Sequence, residues 1–235
     1  MKLPLITFTV AVLLVGCSIP TAPRTAASLD TLFTEPVGRS SAARVSNGSN
    51  VSLGIVYSVG TQTNRDYLRH YQANAGTGFG QSLLVKSIHD AYVTTSSPDF
   101  AVDGVKASLQ RQFGSVTVYP DMQSLKAAKP DVVAIVDTRS QLITSRSSDI
   151  EANVSADFYD AKLHYIGTAR GYDARSLSPL WADFKRSEEI VADIRQQQEV
   201  QVRALQKFDQ SLSNLLTKPT SNVSMIESET GQKLY

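Results

Sequence analysis

Residues 131–137 read Asp131-Val132-Val133-Ala134-Ile135-Val136-Asp137, an apolar and mostly β-branched run between two carboxylates. An apolar run of this length without alternation predicts a central strand buried on both faces. Asp131 and Asp137 then read as strand-end turn residues. Upstream, Pro130 stops a short helix expected over 121–129, because proline cannot continue the backbone ladder. Val116-Thr-Val-Tyr119 is a short strand. Ser97-Pro98-Asp99 predicts a helix start, with Ser97 as N-cap and Pro98 at the first helical position. Val102, Val105, Leu109 and Phe113 line one face of that helix, and Gly114 is expected to end it. Leu84, Ile88 and Tyr92 give helical spacing over 82–92. Residues 60–78 are polar and contain glycine, and carry no assignment. Val51-Ser-Leu-Gly-Ile-Val-Tyr-Ser-Val59 is a strand bounded by Asn50 and Gly60.

Downstream, Asn153-Val-Ser-Ala-Asp-Phe-Tyr159 alternates apolar and polar residues. Leu163-His-Tyr-Ile-Gly-Thr-Ala-Arg-Gly171 does so less strictly. With Asp160-Ala161-Lys162 as the turn, the two predict an antiparallel hairpin. Ser187 to Thr217 predicts one long helix. Val191, Ile194, Gln198, Gln201, Leu205, Phe208, Leu212 and Leu215 fall three and four apart along it. Such a stripe packs on the chain's own sheet or on a partner helix. The two glutamines interrupt it and leave its N-terminal half available to a second partner. The fold class is therefore α/β (α+β): a small mixed sheet with a C-terminal antiparallel hairpin, flanked by helices and ending in one long helix.

The chain has 235 residues, with 23 Lys+Arg against 22 Asp+Glu. This balance excludes the clustered basic surface that nucleic-acid binding requires. A single cysteine, Cys17, excludes an internal disulfide and a cysteine-based zinc site.

Residues 1–16 carry one basic residue, Lys2, and then an apolar run from Leu3 to Val15. That run has the length of a secretory signal rather than a membrane span. It ends in Leu14-Val15-Gly16-Cys17, which resembles the lipobox of bacterial lipoproteins. The resemblance implies cleavage before Cys17 and acylation of its sulfur and amine. Several acyl chains on one residue give stable anchoring. Ser18, where an aspartate would imply inner-membrane retention, favours the outer membrane. Residues 17–50, rich in Ser, Thr, Ala and Pro, are expected to form a flexible tether. Residues 51–217 form the single periplasmic domain, and residues 218–235 form a polar tail. Asn47-Gly48-Ser49 and Asn222-Val223-Ser224 match the glycosylation pattern by chance.

Leu53-Gly-Ile-Val-Tyr57, Lys129-Pro-Asp-Val-Val-Ala-Ile-Val136 and the hairpin Val154–Gly167 follow one another in an order that resembles a family of periplasmic α/β domains. That family includes the curli-secretion lipoprotein, the lipoprotein activator of penicillin-binding protein and the N-terminal domain of TolB. The resemblance implies a non-enzymatic docking or assembly role, and no functional residues carry over from it. The polar stretch 60–78 is longer than the family pattern, and the long alternating hairpins that build the curli pore are missing.

No motif for catalysis stands out. Gly76-Thr-Gly-Phe-Gly80 lacks the Gly-Lys-Ser/Thr end of a phosphate loop. His70, His89 and His164 are scattered, and no Gly-x-Ser-x-Gly elbow supports a nucleophilic serine. Trp181 is the only tryptophan, read as buried packing at the start of the last helix or as an interface anchor. The expectation is an outer-membrane lipoprotein facing the periplasm, without enzymatic activity, cofactor or metal. It would serve an envelope complex through a surface near Trp181, Gln198 and Gln201, with a homo-oligomer through the long helix as a further option. The alternative is a binding module for a small ligand such as a glycan or a peptidoglycan fragment, which needs convergent polar groups and an aromatic platform.

Overall fold

A computed structural model describes residues 45–74, 86–144, 147–178 and 185–217. In chain order the elements are β1 (Gly48–Tyr57), α1 (Val59–Asn74), α2 (Lys86–Thr95), α3 (Phe100–Gln110), β2 (Phe113–Val118), α4 (Met122–Ala128), β3 (Val132–Gln141), β4 (Asp149–Asp160), β5 (Tyr165–Ser176) and α5 (Ser187–Thr217). The five strands form one mixed sheet in the order β2-β1-β3-β4-β5. β1 runs parallel to β2 and β3, while β4 is antiparallel to both β3 and β5. The α/β class, the hairpin and the closing long helix are all present.

Period-two alternation sorts the strand residues onto two faces. One face carries Leu53, Ile55, Ala134, Val136, Val154, Ala156, Phe158 and Ala169 against α3 and α5. Its small residues over β4 and β5 form a shallow bed in which α5 lies. At Gly171 the approach is backbone to backbone, since a Cβ there would sit 1.9 Å from the Ala204 carbonyl oxygen. The opposite face is apolar only in one corner. There Leu125 of α4 packs on Val56, Val133, Ile135 and Tyr159. Asp121 caps α4 by accepting from the Ser124 N–H at 2.7 Å, and Lys129 ends it at φ 50°. Each such buried aliphatic side chain contributes about 1.5–3 kcal/mol.

Several boundaries differ from expectation. β1 starts at Gly48, and Val45 is only 1% exposed. The last residues assigned to the tether thus belong to the folded domain, because Val45 joins the main core. Asp99, not Ser97, is the N-cap residue of α3, and it makes no side-chain cap. Residues 98–99 form a turn that only then leads into the helix. Gly114 does not end that helix but lies in β2. Its Cβ would sit 1.8 Å from the Ser49 carbonyl oxygen, so β1 and β2 meet there where only glycine fits. β3 runs past Asp137 to Gln141, which makes Asp137 a mid-strand residue.

The largest difference is α1, which occupies residues left without assignment. Ser58 caps it, accepting from the Thr61 N–H at 2.9 Å. The helix then lies along β3 beyond the end of β1 and takes over the hydrogen bonding a strand would supply. Thr61 Oγ1 donates to the Val136 carbonyl at 3.0 Å and accepts from the Thr138 N–H at 2.9 Å. Asn64 Oδ1 accepts from the Ser140 N–H, and the Tyr67 hydroxyl accepts from the Leu142 N–H at 3.3 Å. Three helical residues rise ~4.5 Å while two strand residues rise ~6.6 Å. The reach lengthens from Thr to Asn to Tyr as that mismatch accumulates.

Candidate functional site

Three glutamines in the first half of α5 have three different environments. Gln197 is buried. Its Oε1 accepts from the Ile143 N–H at 2.7 Å, and its Nε2 donates to Thr95 Oγ1 at 2.8 Å. The Tyr71 hydroxyl reaches the same Oε1 at 3.4 Å and donates to the Ile143 carbonyl at 2.8 Å. Burial pushes the Tyr71 phenol well above its ordinary range, so it stays a donor. Gln201 is 4% exposed, and its Nε2 donates to the Thr95 carbonyl at 3.1 Å. It therefore belongs to the interior, which corrects its placement on a partner surface: the Thr95 carbonyl at the end of α2 takes its donor. Gln198 is exposed.

Gln198 lines a groove of about 550 Å³ between the end of α2 and α5, with Thr94, Arg195, Val202 and Gln206. Val202 is exposed in it. The stripe expected along α5 holds at Val191, Ile194, Gln201, Phe208 and Leu212, but Gln197 and Ala204 face inward instead of Gln198 and Leu205. Ala204 is drawn in by the contact at Gly171. Leu205 packs sideways, its Cδ1 2.6 Å from where a Cβ on Gly104 would lie. The rest of the helix does pack on its own sheet, and its charges fasten it there. Asp173 of β5 pairs with Arg203 at 2.7 Å and with Lys207 at 2.6 Å. Lys207 also donates to the Tyr172 carbonyl, and Ser211 Oγ accepts from the Arg170 N–H at 3.0 Å. These last two bonds occupy the outer edge of β5, which would otherwise be open to pairing.

The second feature is the sheet face opposite α5. Register places side chains in rows across it: Arg139, Asn153 and Tyr172 in one, Gln141 and Glu151 in the next, Asp137, Ser155 and Arg170 on the other side. Arg139 and Glu151 pair at 2.9 Å. At its end this face has a depression of about 310 Å³, lined by residues that include Gln141, Asp149, Glu151 and Tyr172. Further in, Asp137 accepts from Ser58, and Asp157 accepts from Thr168, whose hydroxyl also meets the Tyr165 hydroxyl at 2.7 Å. Burial pushes the Asp137 carboxyl above its ordinary range, against the Ser58 hydrogen bond and with the help of the nearby Asp157 charge.

Neither carboxylate has a histidine beside it. His164 contacts Asp160 at 3.1 Å in the hairpin turn, His89 lies 3.5 Å from its neighbour Asp90, and His70 Nδ1 meets the Asp66 carbonyl at 2.8 Å. Asp131 accepts from the N–H and hydroxyl of Ser52, which fits its strand-end reading. Among the described residues, no group of three or more potential metal-ligating side chains converges. Nor is any helix among them long and apolar enough to cross a membrane. Cys17, Trp181 and the glycine-rich stretch 76–80 lie outside the described residues.

No family model and no curated protein matches the chain. Among solved structures it is similar to PelC from Paraburkholderia phytofirmans, described as a dodecamer. One PelC structure, carrying a leucine-to-methionine change, is 11% identical with a TM-score of 0.29, covering 67% of this chain and 95% of that one. A second is 11% identical with a TM-score of 0.26, covering 68% and 94%. Likeness this distant leaves the functional reading to the residues themselves.

Proposed function

We propose that this chain is an envelope lipoprotein, anchored through Cys17 in the outer membrane and facing the periplasm. It acts without catalysis, as an accessory or scaffold protein that docks a partner of a cell-envelope complex. The observation that carries the docking role is the groove beside Gln198. The inward face of α5 is satisfied by its own sheet and by α2, yet the outward face presents Val202 between Arg195, Gln198 and Gln206. An apolar centre within a polar rim is how docking surfaces are built. The anchor rests on the lipobox Leu14-Val15-Gly16-Cys17 alone.

The test is crosslinking in intact envelopes followed by purification. Wild type is compared with the paired substitutions Gln198→Glu and Val202→Glu, and with Cys17→Ala expressed behind a cleavable soluble signal. The expected result is one defined complex, lost in the groove variant while its circular dichroism is unchanged. Capture that is indifferent to the groove variant would overturn the docking surface. Retention of the Cys17→Ala protein in washed membranes would overturn the anchor.

A further inference from the structure

We propose that the open sheet face around Tyr172 is a binding site for an uncharged pyranose oligosaccharide, independent of the groove on α5. Tyr172 is 52% exposed in the middle of β5. No packing argument explains a large aromatic held there. The other large apolar side chains that stand out into solvent among the described residues are Val59, Val118 and Val202, on α1, β2 and α5. Tyr172 is therefore an exposed aromatic amid polar and charged side chains, a stacking platform ringed by hydrogen-bonding groups.

The surroundings of the ring match a sugar. Asn153 stands directly across from Tyr172, and Arg139 directly across from Asn153. In the adjacent row Gln141 faces Glu151, and a depression that begins at Tyr172 runs past this row to Asp149 and Ser176. Adjacent rows on a sheet face lie ~6.7 Å apart, so a ligand of more than one sugar unit spans both. A ring stacked through its axial C–H groups on the electron-rich face of Tyr172 would bring its hydroxyls over these groups. Amide, carboxylate and guanidinium together offer both donors and acceptors, as a hydroxyl requires. The Arg139–Glu151 pair at 2.9 Å holds two of them in place before any ligand arrives. Arg139 and Arg175 stand against Asp149 and Glu151, so the charges leave no excess to attract an anion or a cation, which argues for a neutral ligand over a phosphate-bearing one.

The site is tested on the full chain in a detergent without a sugar headgroup. Chitotetraose and cellotetraose are titrated by calorimetry, and purified peptidoglycan sacculi are used in a pelleting assay. At least one soluble tetraose is expected to bind. Tyr172→Ala and Asn153→Ala should each weaken binding about tenfold or more, and Tyr172→Trp should retain it. All three variants should fold as wild type does, because both side chains are exposed. Binding of chitotetraose together with sacculi assigns the glycan strand of peptidoglycan as the source, and binding of a tetraose without sacculi assigns a free glycan. Absence of binding to every probe at millimolar concentration would overturn the proposal. So would binding that survives both Tyr172→Ala and Asn153→Ala.

Discussion

Asn64 Oδ1, on a helix, accepts the backbone N–H of Ser140, on a strand, at 2.9 Å, and both residues are buried. A side chain here completes a β-ladder. Asn64→Ala would leave the Ser140 N–H without a partner or water. An unsatisfied buried donor costs about 1–3 kcal/mol. The expected outcome is a loss of stability of that size in urea denaturation, with a native-like circular dichroism spectrum. Hydrogen exchange should quicken at Ser140 before it does at the β3–β4 pairs further along.

The three glutamines of α5 should separate cleanly by alanine substitution. Gln197→Ala strands the Ile143 N–H, while the Thr95 hydroxyl loses one donor but keeps its own bond to the Ala91 carbonyl, and should cost about 1–3 kcal/mol for the unmet buried donor. Gln201→Ala strands one carbonyl and should cost about 1–2 kcal/mol. Gln198→Ala removes an exposed side chain and should stay within about 0.5 kcal/mol. Denaturant midpoints for the three variants check the ranking; a Gln198 variant as unstable as that of Gln197 would refute the assigned environments.

Gly171→Ala should abolish the native packing of α5. The new Cβ would stand 1.9 Å from the Ala204 carbonyl oxygen and 2.5 Å from the Phe208 nitrogen. Backbone atoms of a helix cannot yield by rotamer change, so helix and sheet would have to part. The readout is thermal melting, with a fall of many degrees or no cooperative transition at all. Gly48→Ala is the useful contrast: it has nothing within 4 Å but lies at φ 127°, so its cost is conformational strain and should be smaller, about 1–2 kcal/mol.

Asp137 gives a signed pH dependence. Its folded pKa lies above the ordinary value of 3.8, chiefly through burial. Its proton is held more tightly in the folded state, so its contribution favours folding below 3.8 and is lost as pH rises through the folded value. Asp137→Asn keeps an oxygen for Ser58 and never ionises. The variant should therefore be more stable than wild type at pH 7, and the gap should close as the pH falls below 3.8. Melting temperatures of the pair across that range provide the check. A gap that widened on acidification would show the sign to be wrong.

The parts of the fold legible in the sequence were those where burial is apolar and periodic. The run 132–136 announced a central strand, and Ser187 and Thr217 marked the bounds of α5. α1 was illegible because its inward stripe includes Thr61, Asn64 and Tyr67, polar residues recruited to a strand edge that sequence alone does not reveal. Gln197 escaped notice for the same reason, whereas Gln201 was noticed and misplaced. Gly114 was read as a helix stop because close approach to Ser49 is a long-range fact. Tyr172 lay just past the expected end of its strand, so its outward direction could not be assigned. The signal that would have found it is the pairing register of β4 with β5.

Gly171 and Tyr172 are neighbours in the chain, yet alternation sends them to opposite sides of the sheet, one beneath α5 and the other into the open. The groove on α5 and the row around Tyr172 are therefore back to back, with the sheet between them. Occupants of the two would not compete for space. A chain holding one would present the other at high effective concentration, so that two weak attachments could act together as a single firm crosslink.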